Sequence, residues 1–231
     1  MPREAQRKAQ RDGVPEIGPA IALREGVYRL LALGFRQPSA LLREALPEGA
    51  AVLEAAQALS PSPALKQAVD AYRALLAQGD GGASPQETAL EYCRLFVGPG
   101  PLACPPYGSV YRDGGVVMGP STLAALRAYE EQGLKPSLKE PPDHIAVELE
   151  FMAHLCQGAS HAADISQARH CLALQETFLR EHLLAWAPAF ARRLLADTSH
   201  PLYKTLAGLL VAWLPLDRDL INASLAVLEG P

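Results

Sequence analysis

Apolar residues along this chain recur at three- and four-residue steps far more often than they alternate, which is the period of a helix with one buried face. Ile21, Leu23, Val27, Leu30 and Leu31 open the pattern, which should stop between Gly34 and Pro38 because the residue before a proline is pushed out of the helical region. Ser39 is placed to cap a short helix ending at Leu46, with Pro47 and Gly49 breaking the chain before an alanine-rich stretch from Ala50 to Leu59. Ser62-Pro63 is a firmer start: serine caps, proline takes the first helical position, and Leu65, Ala68, Val69, Tyr72, Leu75 and Leu76 form one face, ended by Gly79 to Gly82. Ser84-Pro85-Gln86-Glu87 repeats the device as a capping box, since Glu87 can reach back to the Ser84 N–H. That helix should run to about Val97.

The period then fails. Gly98-Pro99-Gly100-Pro101, Pro105-Pro106, Gly108, Gly114-Gly115 and Gly119-Pro120 interrupt roughly twenty residues, longer than a compact domain usually leaves without structure. Leu102, Tyr107, Val110, Tyr111, Val116, Val117 and Met118 make this loop too apolar for a solvated linker, so it is expected to pack on the body. Helical patterns resume at Ser121 to Glu131, Asp143 to Cys156, Asp164 to Leu195 with a break near His182 or Pro188, Ser199 to Leu214, and Leu216 to Leu228. The predicted fold is all-α: a single-domain bundle of about ten helices with one long Pro/Gly-rich loop. Residues 1–15, polar and basic, are expected to be a flexible segment ahead of a helical domain over 16–231.

Composition narrows the partner. A chain of 231 residues that is 49% hydrophobic can bury a sizeable core, and a net charge of -4 gives no electrostatic footprint for nucleic acid. Cys93, Cys104, Cys156 and Cys171 are far apart, without the paired spacing of a zinc or redox site, and read as reduced, mostly buried small hydrophobes. No stretch approaches the roughly 18 apolar residues of a membrane span, and no cleavage site follows the basic start, so the chain is expected in the cytoplasm without stable membrane insertion.

The residues most able to carry chemistry lie in Glu140-Pro141-Pro142-Asp143-His144, at the mouth of a helix. Two prolines fix its entry and Asp143 can cap its N–H groups. Ile145, Leu149, Met152 and Cys156 form a core stripe beside His144, Glu148, Phe151 and Leu155. Read without context, Asp143 is a cap and His144 a surface or locally bonded residue. His144 and Glu148 lack the second histidine of a zinc helix, Ser109 has no strand-turn-helix setting, and prolines in the Gly-Pro run cannot cradle phosphate. No catalytic residue, metal or cofactor is expected. On the helix before the loop, Ala89, Tyr92, Cys93 and Phe96 read as core, with Tyr92 and Phe96 alternatively lining a peptide groove.

Glu91-Tyr92-Cys93-Arg94-Leu95-Phe96-Val97-Gly98-Pro99, Pro105-Pro106-Tyr107-Gly108-Ser109-Val110-Tyr111 and Glu140-Pro141-Pro142-Asp143-His144, in that order and spacing, resemble the TorD/DmsD family of redox-enzyme maturation chaperones. Tyr28 to Pro38 agrees with it too, so the resemblance spans most of residues 20 to about 200. It implies no catalysis, and binding of the twin-arginine leader of a molybdopterin oxidoreductase subunit during cofactor insertion and before export. It also implies a monomer or a helix-swapped homodimer. The peptide site it implies comprises Tyr92, Leu95, Phe96, Gly98, Pro99, Tyr107, Ser109, Pro142, Asp143 and His144. Tyr92 and Tyr107 stand where relatives often carry tryptophan, and the stretch from Glu148 to Met152 is also similar to the nitrate-reductase assembly chaperones of the NarJ group. On this reading Asp143, with Glu140 and Glu148, receives guanidinium groups while Tyr92, Leu95, Phe96 and Tyr107 take the apolar stretch. Asp143→Ala and His144→Ala should then weaken leader binding with helix content nearly unchanged. A metal-dependent hydrolase would instead need bound metal and turnover, and a helical adaptor would place recognition on an exposed helix face.

Overall fold

The computed structural model describes residues 14–79, 82–99, 102–135 and 139–229. Most of the expected N-terminal segment (1–13) and Gly100-Pro101 of the Gly-Pro run lie outside the described residues. Among the described residues ten α-helices run in the order α1 Val14–Gly34, α2 Ala40–Leu59, α3 Pro63–Ala77, α4 Pro85–Tyr92, α5 Gly108–Arg112, α6 Pro120–Glu131, α7 Ile145–Ser160, α8 Ile165–Phe178, α9 Leu184–Asp197 and α10 Pro201–Glu229. Two π-turns, Cys93–Val97 after α4 and Leu179–Leu183 between α8 and α9, extend them.

Two of the expected serine caps form, whereas Ser39 stands at the start of α2 without a side-chain cap hydrogen bond. Ser62 accepts from the Leu65 N–H with Pro63 in the first turn, and Ser84 and Glu87 complete the capping box. Ile145, Leu149, Met152 and Cys156 are all fully buried, and α7 packs along α1, the most extensive helix pair of the fold. On the other side α7 meets α8, while α10 closes the bundle against α9, α3, α8 and α1.

Two expected breaks are absent. Pro47 and Gly49 lie inside an unbroken α2, and Pro215 inside an unbroken α10. Both prolines sit on the exposed side of their helices, where water can serve the carbonyl that each missing N–H abandons. Gly49 is needed for closeness: a Cβ there would lie 2.6 Å from the Tyr72 hydroxyl, which donates to the Leu46 carbonyl at 2.7 Å. Likewise Pro188 leaves α9 intact, and the irregularity falls at the π-turn containing His182.

The π-turn after α4 adds one residue to a turn of helix, and its Gly98 N–H reaches back to the Cys93 carbonyl at 2.7 Å. Thr88, Tyr92, Leu95 and Phe96 form the buried stripe of this helix, while Ala89 and Cys93, expected in the core, face solvent.

The long loop is a packed element for half of its length. The Cys104 N–H bonds the Leu95 carbonyl at 3.0 Å, Tyr111 stacks on Trp186 at 5.6 Å, and the Arg112 guanidinium donates to the Glu181 carbonyl at 2.9 Å. Beyond Asp113 it leaves the body, with Val116, Val117 and Met118 exposed at 57%, 50% and 69%, contrary to the packing expected from their apolarity. The carboxylate of Asp113 holds this excursion closed through the Ser121 N–H and hydroxyl, both at 2.8 Å.

Candidate functional site

The loop and the mouth of α7 meet in a short antiparallel bridge between Tyr107 and His144. The Gly108 N–H donates to the Asp143 carbonyl and the Ile145 N–H to the Pro106 carbonyl, each at 2.9 Å. Each bridge residue follows a pair of prolines, which keep the chain ahead of it out of the helix, and the His144 N–H closes a turn on the Pro141 carbonyl at 3.0 Å.

The cap of α7 is His144, not Asp143 as expected from sequence. Its Nδ1 accepts from the Ala146 N–H at 3.1 Å, which requires an unprotonated ring nitrogen. The Asp143 side chain turns into the loop instead, and one oxygen accepts the Ser109 N–H at 2.7 Å. Asp143 is fully buried, so it cannot meet a guanidinium arriving from solvent in this conformation. Glu148 is buried as well and accepts from the Trp186 indole N–H at 2.9 Å. Of the three carboxylates expected to receive cations, Glu140 alone is partly exposed.

Burial pushes the Glu140 carboxyl up, opposed by Arg36. Tyr92 is raised to about 12, first by burial and then by Glu140 and Tyr107, which places these groups around one spot. Tyr107 is raised by burial and by Glu140 too.

The ten expected site residues divide by exposure. Tyr92, Leu95, Phe96, Ser109, Asp143 and His144 are buried, whereas Gly98, Pro99, Tyr107 and Pro142 reach the surface. Tyr92 and Phe96 stack edge-on at 5.2 Å and join Phe190 and Tyr203 in an aromatic core. The bridge thus brings Tyr107 and Pro142 together on a rim, with the buried six forming the support beneath. Tyr129, which no periodicity singled out, fixes the rim from another side: its hydroxyl donates to the Pro142 carbonyl at 2.7 Å.

Beside this rim lies a cavity of about 330 Å³, bordered by Arg36, Tyr129, Leu134, Val147, Glu150 and Phe151. Its floor is aromatic and apolar and its edge carries both signs, with Arg36 paired to Glu150. Among the described residues no cluster of three or more His, Cys, Asp or Glu is arranged to hold a metal, and no helix is long and apolar enough to cross a membrane.

His144 links the site to pH. Burial, aided by Arg36 and opposed by Asp143, lowers it from 6.5 to about 4. A lowered histidine stabilises the fold fully above its unfolded value, and that contribution fades as pH falls from 6.5 toward about 4. His182, lowered to about 4 by burial and Arg112, acts in the same direction. Glu148 acts oppositely: burial raises its carboxyl, so it favours the fold more as pH falls. His144→Asn keeps a capping acceptor and removes the titrating ring. Its denaturant-unfolding free energy should therefore fall less steeply below pH 6.5, by about 1.4 kcal/mol per pH unit, than that of the parent. Parallel acid limbs in the two proteins would refute a buried neutral His144.

The family model for the nitrate reductase delta subunit matches residues 60–192, more than half of the chain and inclusive of all three motif blocks. The chaperone protein TorD of Vibrio cholerae is 33% identical over 138 residues, 59% of this chain and 63% of that protein, so the match spans a little under two thirds of the relative's length. TorD of Photobacterium profundum is 32% identical over 163 residues, covering 69% of this chain and 76% of the relative. A Haemophilus influenzae protein named as the Tat proofreading chaperone DmsD is 34% identical over 129 residues, 54% of this chain and 58% of that one. A solved structure described as a redox enzyme maturation protein of Archaeoglobus fulgidus superposes with a TM-score of 0.53 at 26% identity, over 83% of this chain and 93% of its own. These relatives carry the names of chaperones and maturation proteins rather than of enzymes.

Proposed function

The chain belongs to the nitrate reductase delta subunit family, and from that membership we propose that it is a cytoplasmic maturation chaperone which binds the twin-arginine leader of a molybdopterin oxidoreductase subunit during cofactor insertion and before export. The observation that carries this reading is the Tyr107–His144 bridge, which joins two distant motif blocks into one rim. Names of relatives as TorD and as a Tat proofreading chaperone support the leader as ligand.

On this reading the rim contacts the peptide and the buried residues do not. Tyr107 and Pro142 offer apolar surface, Glu140 offers a carboxylate to a guanidinium, and the neighbouring cavity floored by Tyr129, Val147 and Phe151 takes an apolar side chain. Asp143 and His144 act through the bridge. The chaperone needs no catalytic group and no cofactor of its own for this task.

Calorimetric titration with a synthetic leader peptide tests the proposal. The parent protein should bind saturably, and Tyr107→Ala and Glu140→Gln should each weaken binding by about tenfold, or ~1.4 kcal/mol. For Glu140→Gln the loss should shrink at high salt, because an exposed ion pair is screened. No heat of binding from the folded parent would remove the reading. The description of the family model favours a second one, a nitrate-reductase-type assembly chaperone. A client segment lacking the arginine pair, binding as tightly as the leader, would select it.

A further inference from the structure

Trp186 stands on α9 with 1% of its surface exposed, and its indole N–H donates to Glu148 on α7 at 2.9 Å. The same indole is the surface against which α5 rests. A Cβ added at Gly108 would lie 3.0 Å from Nε1 and 3.2 Å from Cδ1, so a side chain there would press the indole back by a few tenths of an ångström. Three residues on, the Tyr111 ring stacks on the indole at an interplanar angle of 27°. Rotating the indole would therefore move both ends of this short helix, and Tyr107 and Ser109 with it.

We propose that Glu148 and Trp186 are positioning residues of the peptide site, a buried strut from α7 through the indole to α5 that sets where Tyr107 meets His144. The inference rests on the leader-binding reading and assigns these two residues a role other than peptide contact, since neither reaches solvent. It also reassigns Glu148 from a receiver of guanidinium to an acceptor for the indole. Burial pushes the Glu148 carboxyl well above its ordinary range, against the Trp186 hydrogen bond and with help from Asp143. A carboxyl and a carboxamide have nearly the same shape and both accept through oxygen, so Glu148→Gln should preserve the strut. Glu148→Leu removes the acceptor, and Trp186→Phe keeps an aromatic ring but removes the donor.

The test has two arms on the full chain. Hydrogen exchange reads the amides of Gly108, Ser109 and Ile145, whose acceptors are the Asp143 carbonyl, the Asp143 carboxylate and the Pro106 carbonyl. Titration with the leader peptide reads the site. Glu148→Gln should stay within about twofold of the parent in both, while Glu148→Leu and Trp186→Phe should exchange about tenfold faster at those amides and bind about tenfold more weakly, with α1 and α10 amides unchanged. Parent-like exchange in Glu148→Leu and Trp186→Phe, or a Glu148→Gln as impaired as Glu148→Leu, would overturn the proposal. If Glu148→Leu does not fold, Trp186→Phe against Glu148→Gln decides it. Should the parent bind no leader, the functional reading falls while exchange still decides whether the strut holds the loop.

Discussion

Phe96→Ala is expected to cost about 3–5 kcal/mol of folding stability, as truncation of a fully packed aromatic does. The ring is 3% exposed and lies within 5.2–6.2 Å, centre to centre, of Tyr92, Tyr203 and Phe190, so truncation leaves a cavity between α4, α9 and α10 that rigid helices cannot fill. Tyr107→Ala should cost only about 1 kcal/mol, because that ring is partly exposed and, among the described residues, has one ring contact, with His144 at 5.5 Å. Denaturant unfolding and leader titration on the two variants separate the roles assigned from sequence to one continuous pocket. Phe96→Ala should lose stability first and affinity only through the unfolded fraction; Tyr107→Ala should lose affinity while folded. A Phe96→Ala protein of parental stability that no longer binds peptide would place that ring at the ligand.

Asp217→Ala should be comparably damaging, by about 3–5 kcal/mol, for an electrostatic reason. Arg24 on α1 makes a two-pronged pair with Asp217 on α10, and Tyr28 donates to the same carboxylate at 2.6 Å, with all three residues fully buried. Burial alone would lower the Arg24 pKa, but Asp217 outweighs it and keeps the guanidinium charged. Removing the aspartate strands that charge in the core with one guanidinium nitrogen already lacking a partner. Replacing both ends together, as in Arg24→Met with Asp217→Leu, should recover most of the loss, since an apolar pair avoids the desolvation that the ion pair must offset. Urea unfolding of the single and double variants checks this. Additive losses in the double variant would mean that the two residues contribute independently rather than as a pair.

The two buried ionic features differ in their consequences. The Arg24–Asp217 pair ties the first described helix to the last, so it bears on whether the bundle closes. Glu148 and Asp143 bear on where one loop sits, and their loss should leave the bundle closed. A stability measurement alone would rank the first above the second, whereas peptide affinity should reverse the order.

Features were legible in the sequence when they act at short range. Ser62, Ser84 and Glu87 act within one helical turn, so their caps could be read directly, as could the buried stripe Ile145, Leu149, Met152 and Cys156. The rim's motif blocks could be read as well, though not that their aromatic and acidic members would separate into support and surface. Pro47 and Pro215 misled because a proline breaks a helix only when nothing serves the freed carbonyl, and whether water can serve it depends on which side faces out. On the helix before the loop, two neighbouring stripes carry apolar residues, and only packing against Phe190 and Tyr203 decides that Phe96 is core and Cys93 is not.

By itself, then, the sequence determined an all-helical chain and the Ser62 and Ser84 caps, because each of these rests on contacts within a few residues, while the blocks that meet at the rim were legible only through their resemblance to a known family. Only the tertiary structure decided which charges are buried. Asp143 on the Ser109 N–H, Glu148 on Trp186 and Arg24 on Asp217 are pairings across 34, 38 and 193 residues, and the cost of burying a charge is set by the partner that packing supplies.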